Sequence, residues 1–485
     1  MQRRQFLQIS GAGLLSQFAS RSEAFTGSTG NFPPVGFNTL PIPPLLTGGT
    51  FHLSLQSGQM EFLAGKKTPT YGINGNFLGP AIKVRNGDAV SLNVTNNLAE
   101  PTAIHWHGMH LPANMDGGPH QLIQPGASWN AMFNVKQQAA TNWFHPHTLD
   151  QTGRQVYMGL AGLLIVEDAN TDGLDLPKTW GEDDIPLIIQ DRRFHTDGSF
   201  AYLSSMMDSY QGMYGNVFLV NGAVSPRASL PAKEVRLRLL NGSNARVYRL
   251  AFSDGRAFKQ IATDNALLEA PVELSTLILS PGERAEIVVN CSADLGKNFI
   301  LLDTLSRASL LMLSIDKVPA QITTTPKTLT TLNWLDPAKA TRTRAFNLSM
   351  GMRMGMGMMG VGNASGSGAQ FLINGASMNM ARIDQTVPLN DIEIWEIRNV
   401  GMMGMTHSFH VHGTHFTILE RNGKAANVRA YEKGYKDTVL LNSGEVVKII
   451  IKMTDYITGA NAPYMYHCHI LEHEDRGMMG QFIVT

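Results

Sequence analysis

Short runs in which apolar and polar residues alternate recur along most of the chain. Phe51-His52-Leu53-Ser54-Leu55 and Ala89-Val90-Ser91-Leu92 are examples. A period of two predicts strands with one buried face, and little helical periodicity accompanies it. Asn86-Gly87 joins Ala81-Ile82-Lys83-Val84 to the run at Ala89 and predicts a hairpin. The pattern divides the chain into a first region, 45–170, a second, 180–318, and a third, 340–485. A polar, Asp-rich stretch follows Gly162–Glu167, and a Thr- and Pro-rich connector runs from Lys317 to Arg344. Pro125-Gly126, Pro281-Gly282 and Ser443-Gly444 each precede an alternating strand, 156 and 162 residues apart. Such an internal repeat predicts an all-β chain of three consecutive Greek-key β-sandwich domains. A Pro-rich arm, Phe32 to Pro44, is expected to be irregular and laid along the surface.

Composition narrows the picture. With 485 residues, one ordinary core is too small to serve the whole chain. Lys+Arg and Asp+Glu both number 39, so nothing in the charge calls for nucleic acid. Charged residues are only 16%, while 47 Gly and 23 Pro suit turn-rich β proteins. The N-terminus, Arg3-Arg4-Gln5-Phe6-Leu7-Gln8, precedes a modestly apolar run from Ile9 to Ala19. It resembles a twin-arginine signal over residues 1–24, with a small-x-small site at Ser22-Glu23-Ala24. The twin-arginine export machinery is thus an expected partner, and the mature protein is expected outside the cytosol, periplasmic or extracellular. No other apolar run is long enough to span a bilayer, so no membrane insertion is expected, and a monomer is.

The chemistry is concentrated in 15 histidines and two cysteines, Cys291 and Cys468. His105-Trp106-His107-Gly108 and His145-Pro146-His147 lie in the first region. His407-Ser408-Phe409-His410-Val411-His412-Gly413 and Tyr466-His467-Cys468-His469-Ile470-Leu471-Glu472-His473-Glu474-Asp475-Arg476-Gly477-Met478 lie in the third. On a strand, His-x-His puts both imidazoles on one face, the spacing for ligands of one metal or of neighbouring metals. Cys468, His473 and Met478 have the spacing of a blue-copper loop: one thiolate, one imidazole and a weak thioether, with a second imidazole from elsewhere. In an extended segment Cys468 faces one way and His467 and His469 the other, forming a wire between two metal sites. If Cys468 binds copper, no intramolecular disulfide is possible. His52, His110, His120, His195 and His415 lack these pairings and read as structural or surface residues.

These motifs, HWHG, HPH, HSFHVHG and HCHILEHEDRGMM, make the chain resemble a three-domain multicopper oxidase, closest to the exported cuprous oxidases of copper tolerance and the bacterial laccases. The resemblance implies three cupredoxin-like domains, with the middle one a spacer without copper ligands. It implies four coppers per chain. A type 1 copper would be held by His407, Cys468 and His473 with Met478 axial, and a type 2 copper by His105 and His410. A type 3 pair would be held by His107, His145, His147, His412, His467 and His469. The third motif usually has Pro after its first His, where this chain has Ser408. Asp116 and Glu474 are the implied proton-delivering carboxylates. Electrons from a donor would enter at type 1 and reduce O2 to water at the other three coppers.

The donor is the open question. Met350, Met352, Met354, Met356, Met358 and Met359 alternate mainly with Gly in the insert 350–359, and Met403 and Met405 precede His407. Gly leaves such a tract little to pack, whereas thioethers are soft ligands that select Cu(I). Substrate Cu(I) is the expected donor, although neither 350–359 nor 400–406 contains an Asp or Glu of the kind that helps hold substrate copper in the family. A laccase taking small phenols or aromatic amines would share every copper motif but present an open type 1 edge. A non-enzymatic exported relative, structural or copper-storing, would be expected to have lost ligands; this chain has lost none.

Overall fold

The computed structural model describes residues 38–320, 324–352, 369–401 and 404–485. The expected signal at 1–24, together with Met354, Met356, Met358, Met359 and Met403, lies outside the described residues. Two sheets form each of three successive regions: five and four strands in the first, seven and five in the second, five and five in the third. Each pair encloses its own core. Phe51, Leu92, Ile82 and Leu164 meet in the first, Ile185, Leu237, Leu301 and Leu313 in the second, and Phe346, Trp395, Phe409 and Phe482 in the third. The chain is all-β, three cupredoxin-like sandwiches in a row.

The repeat has a physical basis. In each sandwich an eight-residue strand ends in asparagine: Ala89–Asn96, Glu234–Asn241 and Ile392–Asn399. Each runs parallel to one neighbour and antiparallel to the strand that follows the repeated turn. The turn glycine, at φ +77° in Gly126, +84° in Gly282 and +72° in Gly444, donates its N–H to that asparagine's carbonyl. The asparagine side chains tie back to the carbonyls of Ile123, Leu279 and Met405. A left-handed turn of this kind favours glycine.

Two expectations are corrected. Asn86-Gly87 does not make a hairpin. Ala81–Arg85 is flanked on both sides by parallel partners, Leu45–Thr47 and Gly162–Glu167, so Ala89–Asn96 crosses to the opposite sheet. From Asn38 to Pro44, its described part, the arm is irregular but not wholly superficial. Leu40 is buried in the middle sandwich, and Asn221 and Trp180 donate to the carbonyls of Pro41 and Pro43.

Three short helices frame the site: α1 (Thr152–Met158), α2 (Met206–Gln211) and α3 (Leu471–Glu474). Both α1, from the first region, and α2, from the middle one, pack on α3. The Asp475 carboxylate, just beyond α3, accepts the N–H groups of Thr152 and Gly153 and so caps α1 from another domain.

Candidate metal centre

The strands Tyr464–Cys468 and His407–Val411 pair antiparallel, with Phe409 opposite Cys468 and His410 opposite His467. This register puts the two sets of donors on opposite faces of one sheet. On one face Cys468 Sγ lies 3.5 Å from His407 Nδ1 and 3.7 Å from His473 Nδ1, and these nitrogens are 3.3 Å apart. All three residues are fully buried. Met478 is buried beside them, its carbonyl accepting the Cys468 N–H. Burial pushes the Cys468 thiol up to about 12 and the His407 imidazole down to about 4. A thiol so disfavoured as an anion ionises only against a cation, so this donor set fits a soft metal.

On the other face eight imidazoles from the first and third sandwiches converge. Nε2 of His467 is 3.2 Å from Nε2 of His147 and 3.1 Å from Nε2 of His412. Nδ1 of His412 meets the Asp116 carboxylate at 2.6 Å, and Nδ1 of His467 lies 3.1 Å from Glu474. A carboxylate accepts only, so Nδ1 of His412 and Nδ1 of His467 carry the protons, and their Nε2 lone pairs face each other beside Nε2 of His147. A metal cation bound between them satisfies that arrangement, so this donor set fits a metal.

His107, His145 and His469 form a second triad. Nδ1 of His107 is 3.4 Å from Nε2 of His145, and the His469 ring centre lies 4.9 and 5.2 Å from the rings of His107 and His145. His105 stacks on His412 and His107 on His410, with ring centres 3.8 and 3.7 Å apart. His105 and His410 each bond a backbone carbonyl through Nδ1, of Asp116 and Asp437 respectively, and turn a partnerless Nε2 inward. Burial, then the neighbouring imidazoles, keeps the pKa values of His107, His145, His412 and His469 well below the ordinary range. Neutral rings are what metal ligation requires. Burial alone would raise the Glu474 carboxyl, but His467 and His147 overcome it and hold it at about 2.

All twelve expected ligand residues thus fall into these two buried groups. Among the methionines, Met350 and Met405 are half-buried against the third core. The remaining histidines stand apart: His52, His195 and His415 are exposed, His110 bridges Gly413 to Asp455, and His120 contacts Gln481. Cys291 is buried in the middle core.

Sequence reasoning missed the residues around the ligands. Phe371 stacks on His473 with ring centres 4.0 Å apart. Nε2 of His473 donates to the Tyr210 carbonyl of α2 at 2.9 Å. Asp437 accepts from Nε2 of His107 and is gripped by Arg284. Ser408 uses its hydroxyl to reach Pro281. Glu472 takes hydrogen bonds from Tyr202, Asn244 and the Met213 N–H. Most of these partners belong to the middle sandwich, so it is no mere spacer. The one available signal was Arg284, a charge opening an apolar strand immediately after a repeated turn.

Cupredoxin-like sandwiches that gather buried imidazoles around a Cys-bearing strand define a class, the copper-dependent oxidoreductases. Multicopper oxidase profiles match residues 54–171 and 349–485, together more than half of the chain. The multicopper oxidase mco of Staphylococcus haemolyticus is 37% identical over 437 residues, 90% of this chain and 88% of that one. The cell division protein FtsP of Xenorhabdus nematophila is 34% identical over 512 residues, 100% of this chain and 99% of its own. Among solved structures, the laccase-like multicopper oxidase CueO of Ochrobactrum sp. superposes with a TM-score of 0.83 at 36% identity, over 92% of this chain and all of that one. The chain belongs to the multicopper oxidase family, near its CueO and laccase members.

Proposed function

We propose that the protein oxidises Cu(I) and passes the electrons to O2: four Cu(I) and four protons per O2 give four Cu(II) and two waters. His407, Cys468, His473 and Met478 would hold one resident copper, His105 and His410 a second, and the two triads a pair, four per chain. When bound, these coppers supply one-electron acceptance at the Cys468 site and four-electron delivery to oxygen.

The chain's own residues do the rest. The peptide from His467 to His469 links the two groups through covalent bonds. Asp116 and Glu474, buried against ligand imidazoles, fix those rings and hold proton-accepting oxygens beside the site of reduction.

The observation that carries the choice of donor is the closure of His473. Its ring is fully buried, stacked on Phe371 and capped by the Tyr210 carbonyl. A bulky phenol finds no open edge there, whereas a bare ion can be relayed by thioethers. Met350, Met352, Met354, Met356, Met358, Met359, Met403 and Met405 are the proposed relay. The test compares Cu(I) and 2,6-dimethoxyphenol oxidation by the full protein and by a form with 353–359 replaced by Gly and Ser. Selective loss of Cu(I) oxidation supports the reading. Equal loss of both would reduce the tract to a support of the fold, and no loss of Cu(I) oxidation would put the laccase reading ahead.

Full-length likeness to a cell division protein favours a second reading, a non-enzymatic exported role. The complete ligand set argues against it. A copper-loaded protein that consumes no O2 with either donor would restore it.

A further inference from the structure

On the polynuclear face His105, His145, His410, His412 and His467 turn Nδ1 toward an outer partner, and His147 turns Nε2 toward His467; His107 is reversed. Its Nε2 lies 3.0 Å from the Asp437 carboxylate, and its Nδ1 faces His145. Asp437 also anchors His410, whose Nδ1 donates to the Asp437 carbonyl at 2.9 Å. One residue thus sets the free nitrogen of two ligands, and what sets that residue is Arg284.

The Arg284 guanidinium is fully buried, and every nitrogen is engaged. Nη1 and Nη2 clasp the two Asp437 oxygens at 2.7 and 2.6 Å. Nε donates to the Thr141 carbonyl at 3.0 Å, Nη1 to Gly282, and Nη2 to Asn142 and the Asp264 carbonyl. These partners come from all three sandwiches, and Thr141 and Asn142 lie on the strand that carries His145. Gly108 makes room for this contact, and Gly282 for a neighbouring ligand ring. A Cβ on Gly108 would sit 2.5 Å from Nη2 of Arg284, and one on Gly282 would press on the His469 ring at 3.0 Å. The Gly of the HWHG motif is therefore a seat for an arginine of another domain.

We propose that Arg284, supplied by the middle sandwich, is a positioning residue of the trinuclear site: by clasping the Asp437 carboxylate it makes His107 present Nδ1, and His410 Nε2, to the metals. The inference rests on the copper reading above. Lysine cannot replace it, because a fork with five donors in one plane matches a carboxylate and an ammonium does not.

The experiment uses the full-length copper-loaded protein with R284K, and with D437N as a near-isosteric second variant should R284K not fold. Copper per chain, the blue absorbance, the hyperfine splitting of the type 2 electron paramagnetic resonance signal and O2 uptake are measured. The expected result in both variants is a blue band of wild-type intensity, an altered or lost type 2 signal, and O2 uptake lower by about 10–100-fold, the usual effect of removing a partner that orients a metal ligand. A wild-type type 2 signal with normal O2 uptake in the variants would overturn the proposal. So would a blue band that falls in step with everything else, since that marks a general support of the fold. The wild-type copper content and type 2 signal test the copper reading separately.

Discussion

The Tyr210 carbonyl accepts the Nε2 proton of His473 at 2.9 Å, so a helix of the middle sandwich closes the outer edge of an imidazole whose other nitrogen faces Cys468. If α2 is what excludes large donors, replacing residues 206–211 by a short Gly-Ser link should raise kcat/KM for 2,6-dimethoxyphenol at least about tenfold, the equivalent of about 1.4 kcal/mol. Cu(I) oxidation should change far less. Steady-state rates with the two donors decide it, and an unchanged phenol rate would free α2 of any gating role.

The two faces of the Tyr464–Cys468 strand should fail independently. Cys468→Ser removes the thiolate and should abolish the blue colour. His105→Ala should leave the blue band present and bleachable by Cu(I) without air, while O2 uptake drops to background. A blue C468S protein, or an H105A protein with normal O2 uptake, would contradict the assignment of ligands to faces.

Glu474→Gln keeps the shape of the side chain but removes its basic oxygen. Proton delivery by a placed carboxylate is worth about 10²–10⁴ in rate, so O2 uptake should fall roughly a hundredfold or more, with the blue band still reducible at its normal rate. Stopped-flow measurement of each half-reaction separates the two.

The copper-free protein should be acid-labile in a defined window. Burial lowers His407 and His410 to about 4, against about 6.5 in an unfolded chain. Between those values the unfolded state binds more protons than the folded one, so stability is complete above pH 6.5 and falls as pH drops toward 4. Copper should delay the loss, because bound metal keeps the rings unprotonated. Thermal melts from pH 7 to 4, with and without copper, check the sign; a copper-free melting temperature that rises with acid would refute it.

Gly117 sits at φ +81°, where a Cβ would lie 1.6 Å from the Ile104 carbonyl oxygen. Gly117→Ala should therefore cost about 2–4 kcal/mol through strain and displaced backbone. It should also shift Asp116 away from His412 and lower O2 uptake. Denaturant titration measures the first effect directly.

The candidate ligands were legible because each motif is local: His-x-His and Cys-x4-His fix which side chains share a face before any tertiary contact forms. The three-fold repeat was legible because Gly126, Gly282 and Gly444 meet the same backbone demand. The rest depended on distance. Arg284 meets Asp437 across 153 residues and Tyr210 meets His473 across 263, and neither partner carries a local sign of the other. The Asn86-Gly87 turn misled for a related reason: its type is local, but which sheet receives the next strand depends on which edges are already taken.

His147 and His467 stand 320 positions apart yet share one point in space. During synthesis the ribosome has finished the first sandwich long before the imidazoles of the third sandwich that close on it exist. The imidazole cluster is therefore complete only once the first and third sandwiches have both been made and have closed on each other. The arrangement makes the cluster a check on assembly, formed only where the two outer sandwiches have docked in register.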